Sequence, residues 1–388
     1  MLLKKEVVFQ HYEDRILIRY TLVDAHSETK LRFKPFLAFR SVRQFTHENS
    51  VASRDYSNVE NGISTCMYAG YPDLYMQFSK GNTFVFQPDW YRNVEYPKEQ
   101  ERGYASNEDL YVPGYFEMDI KKGESVVFAA STSASNTGEL QQLFDKEVSE
   151  RSPRDNFFHC LVNAAHQFHN RASNDDRYIL AGYPWFKSRA RDTFIALPGL
   201  TLSIEEQDYF ELVMKTAERG LREFMEGKPL SVKIYEIEQP DVLLWAVWAI
   251  QQYEKHVGSE KCFQMYGALL KDIVYYIIDG KHPNLILKEN GLLYSNGREK
   301  AVTWMNSTVN GRPVVPRTGY IVEFNALWYN ALCFCSSVAT TGGDLEAASR
   351  LEKMSELCMH SFVSTFFNEH GYLLSLIHIS EPTRHAQI

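Results

Sequence analysis

The sequence lacks most of the features that would take it out of an ordinary globular class. Its six cysteines (Cys66, Cys160, Cys262, Cys333, Cys335 and Cys358) form no Cys-x-x-Cys pair. Such scatter in a long chain excludes a disulfide-stapled secreted scaffold and points to reduced thiols. No run approaches the about 18 apolar residues that a membrane span needs. The opening "MLLKKEVVFQHYEDR" has no apolar signal-peptide core, so a cytoplasmic location is expected. The formal net charge is −8 and no Lys/Arg cluster stands out. Neither nucleic acid nor a membrane is therefore an expected partner. No Gly-x-Ser-x-Gly, Gly-rich phosphate loop or dinucleotide fingerprint occurs, and no cofactor is expected. His159, His166 and His169 fall at i, i+7 and i+10, near one face of an expected helix. No Asp, Glu or Cys completes a ligand set beside them, so no metal is expected either.

What the chain does have is length and aromatic surface. Its 388 residues suit two domains. Aromatics reach 14%, with 23 Tyr, 24 Phe and 6 Trp. They can build a large core, and they can also offer flat faces to the C–H faces of sugar rings. Up to about residue 150, short β-branched and aromatic runs such as "RILIRYTLV", "TFVFQPDW" and "SVVFAAS" alternate with turn clusters such as "SKGN" and "KKGES". They predict an antiparallel β-sandwich over residues 1–138. Its first strand starts without lead-in, so the sandwich is expected to lack its beginning. From Glu139 the apolar period becomes 3–4, with "GELQQLFDKEVSE" as a linking helix and roughly seven helices after it. Strands are expected only in the first 150 residues. Helical hairpins joined at one end by long loops, above all 281–318, predict an α/α toroid over residues 139–374. The stretch 375–388, "SLIHISEPTRHAQI", breaks the helical pattern and is expected to be a non-native tail. The native sequence is then expected to run out near Leu374, inside an incomplete toroid.

Three stretches can carry chemistry. In "AGYPWFKSRARDTFIALPGL" (181–200), Trp185 can cover a sugar face while Arg191 and Asp192 grip hydroxyls. The bland alternatives are Asp192 as a helix cap and Arg191 as its weak surface partner. In "EIEQPDVLLWAVWAI", Asp241 is either an N-cap or a carboxylate at the toroid mouth, with Trp245 one turn later. In 302–332, Trp304, Asn306, Arg317 and Glu323 lie on a long loop that leads into a helix. Glu323 stands among apolar residues, where a carboxylate needs a partner, and Arg317 is at hand. That pair is either structural or holds a carboxylate for acid–base work.

The motifs "AGYPWF…RDTFIALPGL", "TWMN", "GRPVVPR" and "VEFNALWYNAL", in this order, resemble the bacterial glycogen debranching enzyme family of the amylo-α-1,6-glucosidase type. "FKPFLAFRSVRQFTHEN" (33–49) resembles that family's N-terminal β-sandwich. The resemblance covers residues 1–374. It implies multidomain β + α architecture, with an (α/α)6 six-hairpin barrel after the sandwich. It implies inverting hydrolysis of α-1,6-linked branch glucose in glycogen or a related branched α-glucan. That chemistry uses one carboxylic acid and one carboxylate about 6.5–9.5 Å apart. By resemblance, Arg191 and Asp192 hold the non-reducing glucose, and Asp241 is a second sugar-binding carboxylate. Many relatives carry Asp where this chain has Asn306, so the acid falls to Glu323, Asp192 or Asp241. The base is expected beyond Leu374, which would leave this fragment inactive. Two alternatives stay open: a related six-hairpin glycosidase for a small glycoside such as trehalose, and a glycan-binding protein without catalysis.

Overall fold

Alternation of apolar and polar residues builds the first half of the protein. The computed structural model describes residues 1–172, 175–297 and 299–377. The chain forms two compact units, Met1–Asn163 and the remainder from Ala164. In the first unit, strands β1 (Leu2–Phe9), β2 (Arg15–Asp24), β4 (Ser57–Val59), β5 (Gly62–Thr65), β6 (Leu74–Phe78) and β9 (Ser125–Ser131) make one antiparallel sheet, ordered β1-β2-β9-β6-β5-β4. The second sheet is β3 (Thr29–Phe33), β8 (Asn107–Ile120) and β7 (Thr83–Glu95). Inward residues of both, among them Leu22, Leu31, Phe78, Trp90 and Phe116, share one core, as in a sandwich. A short helix, α1 (Pro97–Glu101), joins β7 to β8.

Strand β3 stops at Phe33, two residues before Pro35, which cannot donate to a ladder. The longest strand, β8, was not foreseen. Its centre carries Pro113-Gly114, which reads as a breaker. The structure absorbs both at a register shift, where Phe86 faces Gly114 and Asp89 faces Val112. Gly114 is required there. Its φ is +152°, and a Cβ would lie 2.1 Å from the Val85 carbonyl oxygen. Helix α2 (Leu140–Ser149), read as a link between domains, lays Leu140 and Phe144 on the other face of the first sheet, against Leu17 and Val127.

In the second unit the helical reading holds. After α3 (Phe157–His166) come three hairpins: α4 (Ala190–Leu200) with α5 (Gln207–Met225), α6 (Val242–Val257) with α7 (Ser259–Ile278), and α8 (Val322–Thr341) with α9 (Leu345–Phe366). Gly258, at φ +86°, alone separates α6 from α7. Asp344 caps α9 by accepting from the Ala347 amide at 3.2 Å. Helices α4 and α6 pack together, as do α6 and α8. Gln251 on α6 and Asn330 on α8 hydrogen-bond at 3.0 Å, nine residues after the start of α6 and eight after that of α8. Both residues lie near the middles of their helices, so α6 and α8 touch there.

Strands are not confined to the first 150 residues. Among the described residues the second unit adds a pair, β10 (His169–Arg171) with β11 (Arg177–Ile179), and a hairpin, β14 (Thr308–Val309) with β15 (Arg312–Pro313). It also adds a four-stranded sheet of β12 (Leu285–Leu287), β13 (Leu293–Ser295), β16 (Gly319–Ile321) and β17 (Leu376–Ile377). Pieces of two or three residues carry too little alternation to be seen in a sequence. β10 also moves His169 off the helical face expected to hold three histidines. His169 donates from Nε2 to the Leu200 carbonyl (3.0 Å) and stacks on Tyr209, while His166 meets Glu206 at 2.6 Å. Of the stretch read as a non-native tail, Ser375–Ile377 is described and 378–388 lies outside the described residues.

Candidate active site

The site is built from the starts of α4, α6 and α8 and the loops that lead into them. Ahead of α4 the chain turns tightly, the Phe186 amide donating to the Gly182 carbonyl at 2.9 Å. That turn leaves Tyr183, Trp185 and Phe186 exposed, with Trp185 at 44%. Residues 188–190 then pair with Tyr235 through two backbone bonds of 2.9 Å, Tyr235 N to Ser188 O and Ala190 N to Tyr235 O. The loops before α4 and α6 are thereby stitched together. Arg189 reaches Glu236 at 3.3 Å and lies over the Phe186 ring.

The start of α4 separates its two charged residues. Arg189 is the N-cap, so Asp192 is the third helical residue and does not cap the helix. Asp192 is exposed and makes no hydrogen bond or ion pair with a described residue. Arg191 turns inward and pairs with Asp241 instead, Nε to Oδ2 at 2.7 Å and Nη2 to Oδ1 at 2.9 Å. Both side chains are buried, at 10% and 5% exposure. Asp241 precedes α6 without capping it by its side chain, and its Oδ2 also accepts from the Trp245 indole at 3.2 Å. Both carboxylate oxygens are engaged, whereas Arg191 keeps Nη1 free of any partner among the described residues. The pair fixes the starts of α4 and α6 side by side.

The start of α8 has the same construction. Arg317 is buried and grips Glu323 with both terminal nitrogens, Nη2 to Oε2 at 3.2 Å and Nη1 to Oε1. Nη2 also donates to the Ser375 carbonyl at 3.0 Å and hydroxyl at 3.1 Å. Gly297 permits the approach, since a Cβ there would stand 2.3 Å from the Arg317 carbonyl oxygen. Asn325, in the first turn, exchanges bonds with Leu293 (2.7 and 3.0 Å) and so welds α8 to β13. Earlier in the same loop, Val302 and Thr303 are buried while Trp304 is 64% exposed and Asn306 lies at the surface.

One expected pair is a real contact, Arg317–Glu323, while Arg191 pairs with Asp241, a partner the sequence reading did not give it. The Arg191–Asp192 clamp is not a real contact. Tyr235 and Glu236 were missed. The signal available was position, since Glu236 opens the same acidic stretch as Asp241. Among the described residues no group of three or more His, Cys, Asp or Glu is arranged to hold a metal ion.

Comparisons with known proteins agree with this architecture. A family model described as glycogen debranching enzyme N terminal matches residues 1–127, and one described as amylo-alpha-1,6-glucosidase matches residues 162–388, more than half of the chain. A search of curated proteins gives no match. Among solved structures, a bacterial glucoamylase complexed with acarbose aligns at TM-score 0.52 and 11% identity, over 98% of this chain and 58% of that one. The GH78 family rhamnosidase of Bacillus sp. GL1 aligns at TM-score 0.36 and 12% identity, over 96% of this chain and 34% of that one. The glucoamylase likeness is one of fold, and the chain spans 58% of that protein's length.

Proposed function

This chain belongs to the amylo-α-1,6-glucosidase family, and from that premise we propose that it hydrolyses α-1,6-linked branch glucose of glycogen or a related branched α-glucan. One observation carries the reading. Three carboxylates and two buried guanidinium groups stand at or just before the starts of α4, α6 and α8, and the loops feeding those starts expose Trp185, Tyr235 and Trp304. The rings suit the faces of a sugar, and Asp192, Asn306 and Nη1 of Arg191 suit its hydroxyls.

Roles follow from which oxygens are taken. Asp241 and Glu323 each have both oxygens engaged by N–H donors. Neither can deliver a proton without first breaking a charge-assisted pair. Asp192 is unencumbered, so we assign it the proton that departs with the leaving-group oxygen. Glu323 supplies negative charge facing the oxocarbenium-like sugar, and Arg317 positions it. Asp241 orients Arg191 and, through it, the bound glucose. Asp192 and Glu323 stand on alternate helices with α6 between them. Inversion, which this reading includes, requires a carboxylate pair with room for a sugar and a water.

The test is glucose release from phosphorylase-trimmed glycogen, with trehalose as the competing substrate. Asp192→Asn should lower turnover on the glucan by about two orders of magnitude or more. It should spare hydrolysis of α-glucosyl fluoride, whose leaving group needs no proton. Equal loss on both substrates would remove Asp192 from the acid role. Hydrolysis of trehalose with none of trimmed glycogen would replace the substrate.

A further inference from the structure

The first unit carries an open groove lined by its own residues. Between β3 and β4 the chain runs from Lys34 to Tyr56 with only a single bridge at Leu37. Loops this long without structure of their own are usually functional or disordered. This one is fixed. Leu37 exchanges backbone bonds with Tyr111 at 2.8 and 3.0 Å. Arg40 grips the buried Glu108 at 2.6 and 2.9 Å, and Asp109 accepts from the Glu48 amide at 2.9 Å. Two adjacent carboxylates on β8 therefore hold the loop in place.

The pinned loop forms one wall of an open cavity of ≈ 490 Å³, with the ends of β6 and β9 as the other. Four rings line it: Phe36, Phe39, Tyr71 and Phe128. Phe39 is held at φ +41°, in the left-handed region that bulky residues avoid, at a cost of about 1–3 kcal/mol. Its ring meets that of Tyr71 at 6.2 Å and 58°, making a corner. Phe36 is braced edge-on by Tyr91 at 4.6 Å. Asp73 and Thr132 stand on the same lining, and the Asp73 carboxylate has no hydrogen bond or ion pair with a described residue.

The chemistry of the lining selects a ligand class. The volume lies within the about 300–1,000 Å³ of small-ligand clefts. An anion finds no uncompensated cation, because Arg40, the one basic residue of the lining, is paired through Nε and Nη2 with the Glu108 carboxylate. A wholly apolar ligand would leave Asp73 unanswered. A neutral ring with C–H faces and a rim of hydroxyls satisfies both. We propose that this groove is a second, non-catalytic binding site for an α-glucan segment, an inference that rests on the glucan reading above. Phe36, Phe39 and Tyr71 are the platform, and Asp73 accepts hydroxyls.

The full chain decides this by titration with maltohexaose and by migration through glycogen-containing gels. Phe36 and Tyr71 are 49% and 45% exposed, so truncating them spares the core. Each of Phe36→Ala and Tyr71→Ala should weaken maltohexaose binding about 2- to 13-fold, the range of one aromatic contact. Their double variant should lose gel retardation while glucose release from a small branched dextrin stays at the wild-type rate. Should the double variant unfold early, Asp73→Asn, which changes only charge at the lip, gives the same readout. Retardation and maltohexaose affinity that survive in both, and vanish only with Trp185→Ala, would overturn the proposal. If the wild type releases no glucose from any branched substrate but the double variant still loses retardation, the hydrolytic reading falls and this site stands.

Discussion

Removing Asp241 should cost more stability than any other single change at the helix starts. Asp241→Ala leaves the Arg191 guanidinium buried at 10% exposure with no counter-charge and deprives the Trp245 indole of its acceptor. Breaking a buried pair from one side costs about 3–5 kcal/mol. At about 2–4 °C per kcal/mol for a unit of this size, the second unit should melt about 6–20 °C earlier. The companion experiment removes both charges. Arg191→Met with Asp241→Leu keeps volume and abolishes the uncompensated ion, so most of the loss should return. Thermal and urea unfolding followed by circular dichroism read all four corners of the cycle. A loss of about 1 kcal/mol or less for Asp241→Ala would mean that the pair behaves like a solvent-exposed one. A double variant as unstable as Asp241→Ala alone would show that the cost lies in the Trp245 bond or the α6 start, not in the stranded charge.

The remaining expectations are independent of one another. His282 is buried against Phe224 and Tyr276, with Nδ1 accepting from the Asn284 amide at 3.1 Å and Nε2 without a partner among the described residues, and burial lowers its pKa from 6.5 to about 4. Its neutral form is the folded one, so the stabilisation it permits is present above pH 6.5 and falls by about 3 kcal/mol as the pH drops to 4. His282→Asn should flatten that part of the stability–pH curve, and an unchanged slope would contradict the burial argument. Asn325→Leu strands the Leu293 amide and carbonyl and should destabilise by at least about 2 kcal/mol in urea unfolding. Glu323→Gln should cut turnover by orders of magnitude while glucan affinity survives, and a full-rate variant would remove Glu323 from the mechanism.

The parts of the fold legible in the sequence are those whose signal is local. Helices α4 to α9 announce themselves by apolar spacing, and the α6–α7 and α8–α9 turns by Gly258 and by Gly342-Gly343-Asp344. β8 was hidden because its one irregularity, Pro113-Gly114, is also the strongest turn signal in the stretch. Only pairing with β7, opposite Gln87-Pro88, turns a breaker into a bulge. The small sheet β12-β13-β16-β17 was hidden for the opposite reason. Its strands are too short to have a pattern, and they are held by what surrounds them, such as the Asn325 side chain.

The same distinction governs the site. Arg317 and Glu323 are six residues apart across a loop, and a carboxylate amid apolar residues advertises its need for a partner, so their pairing was readable. Arg191 and Asp241 are fifty residues apart. Nothing local says that Arg191 should choose Asp241 over the adjacent Asp192. The choice is made by helix geometry. Neighbouring residues on a helix point about 100° apart, so a chain that turns Arg191 into the packed interface with α6 must turn Asp192 toward solvent. That rotation converts two similar acids into different instruments, one locked in a buried bidentate pair and one open to whatever enters the mouth. Identity and spacing nominated the residues, and the direction in which α4 faces α6 set which acid is paired and which is left open.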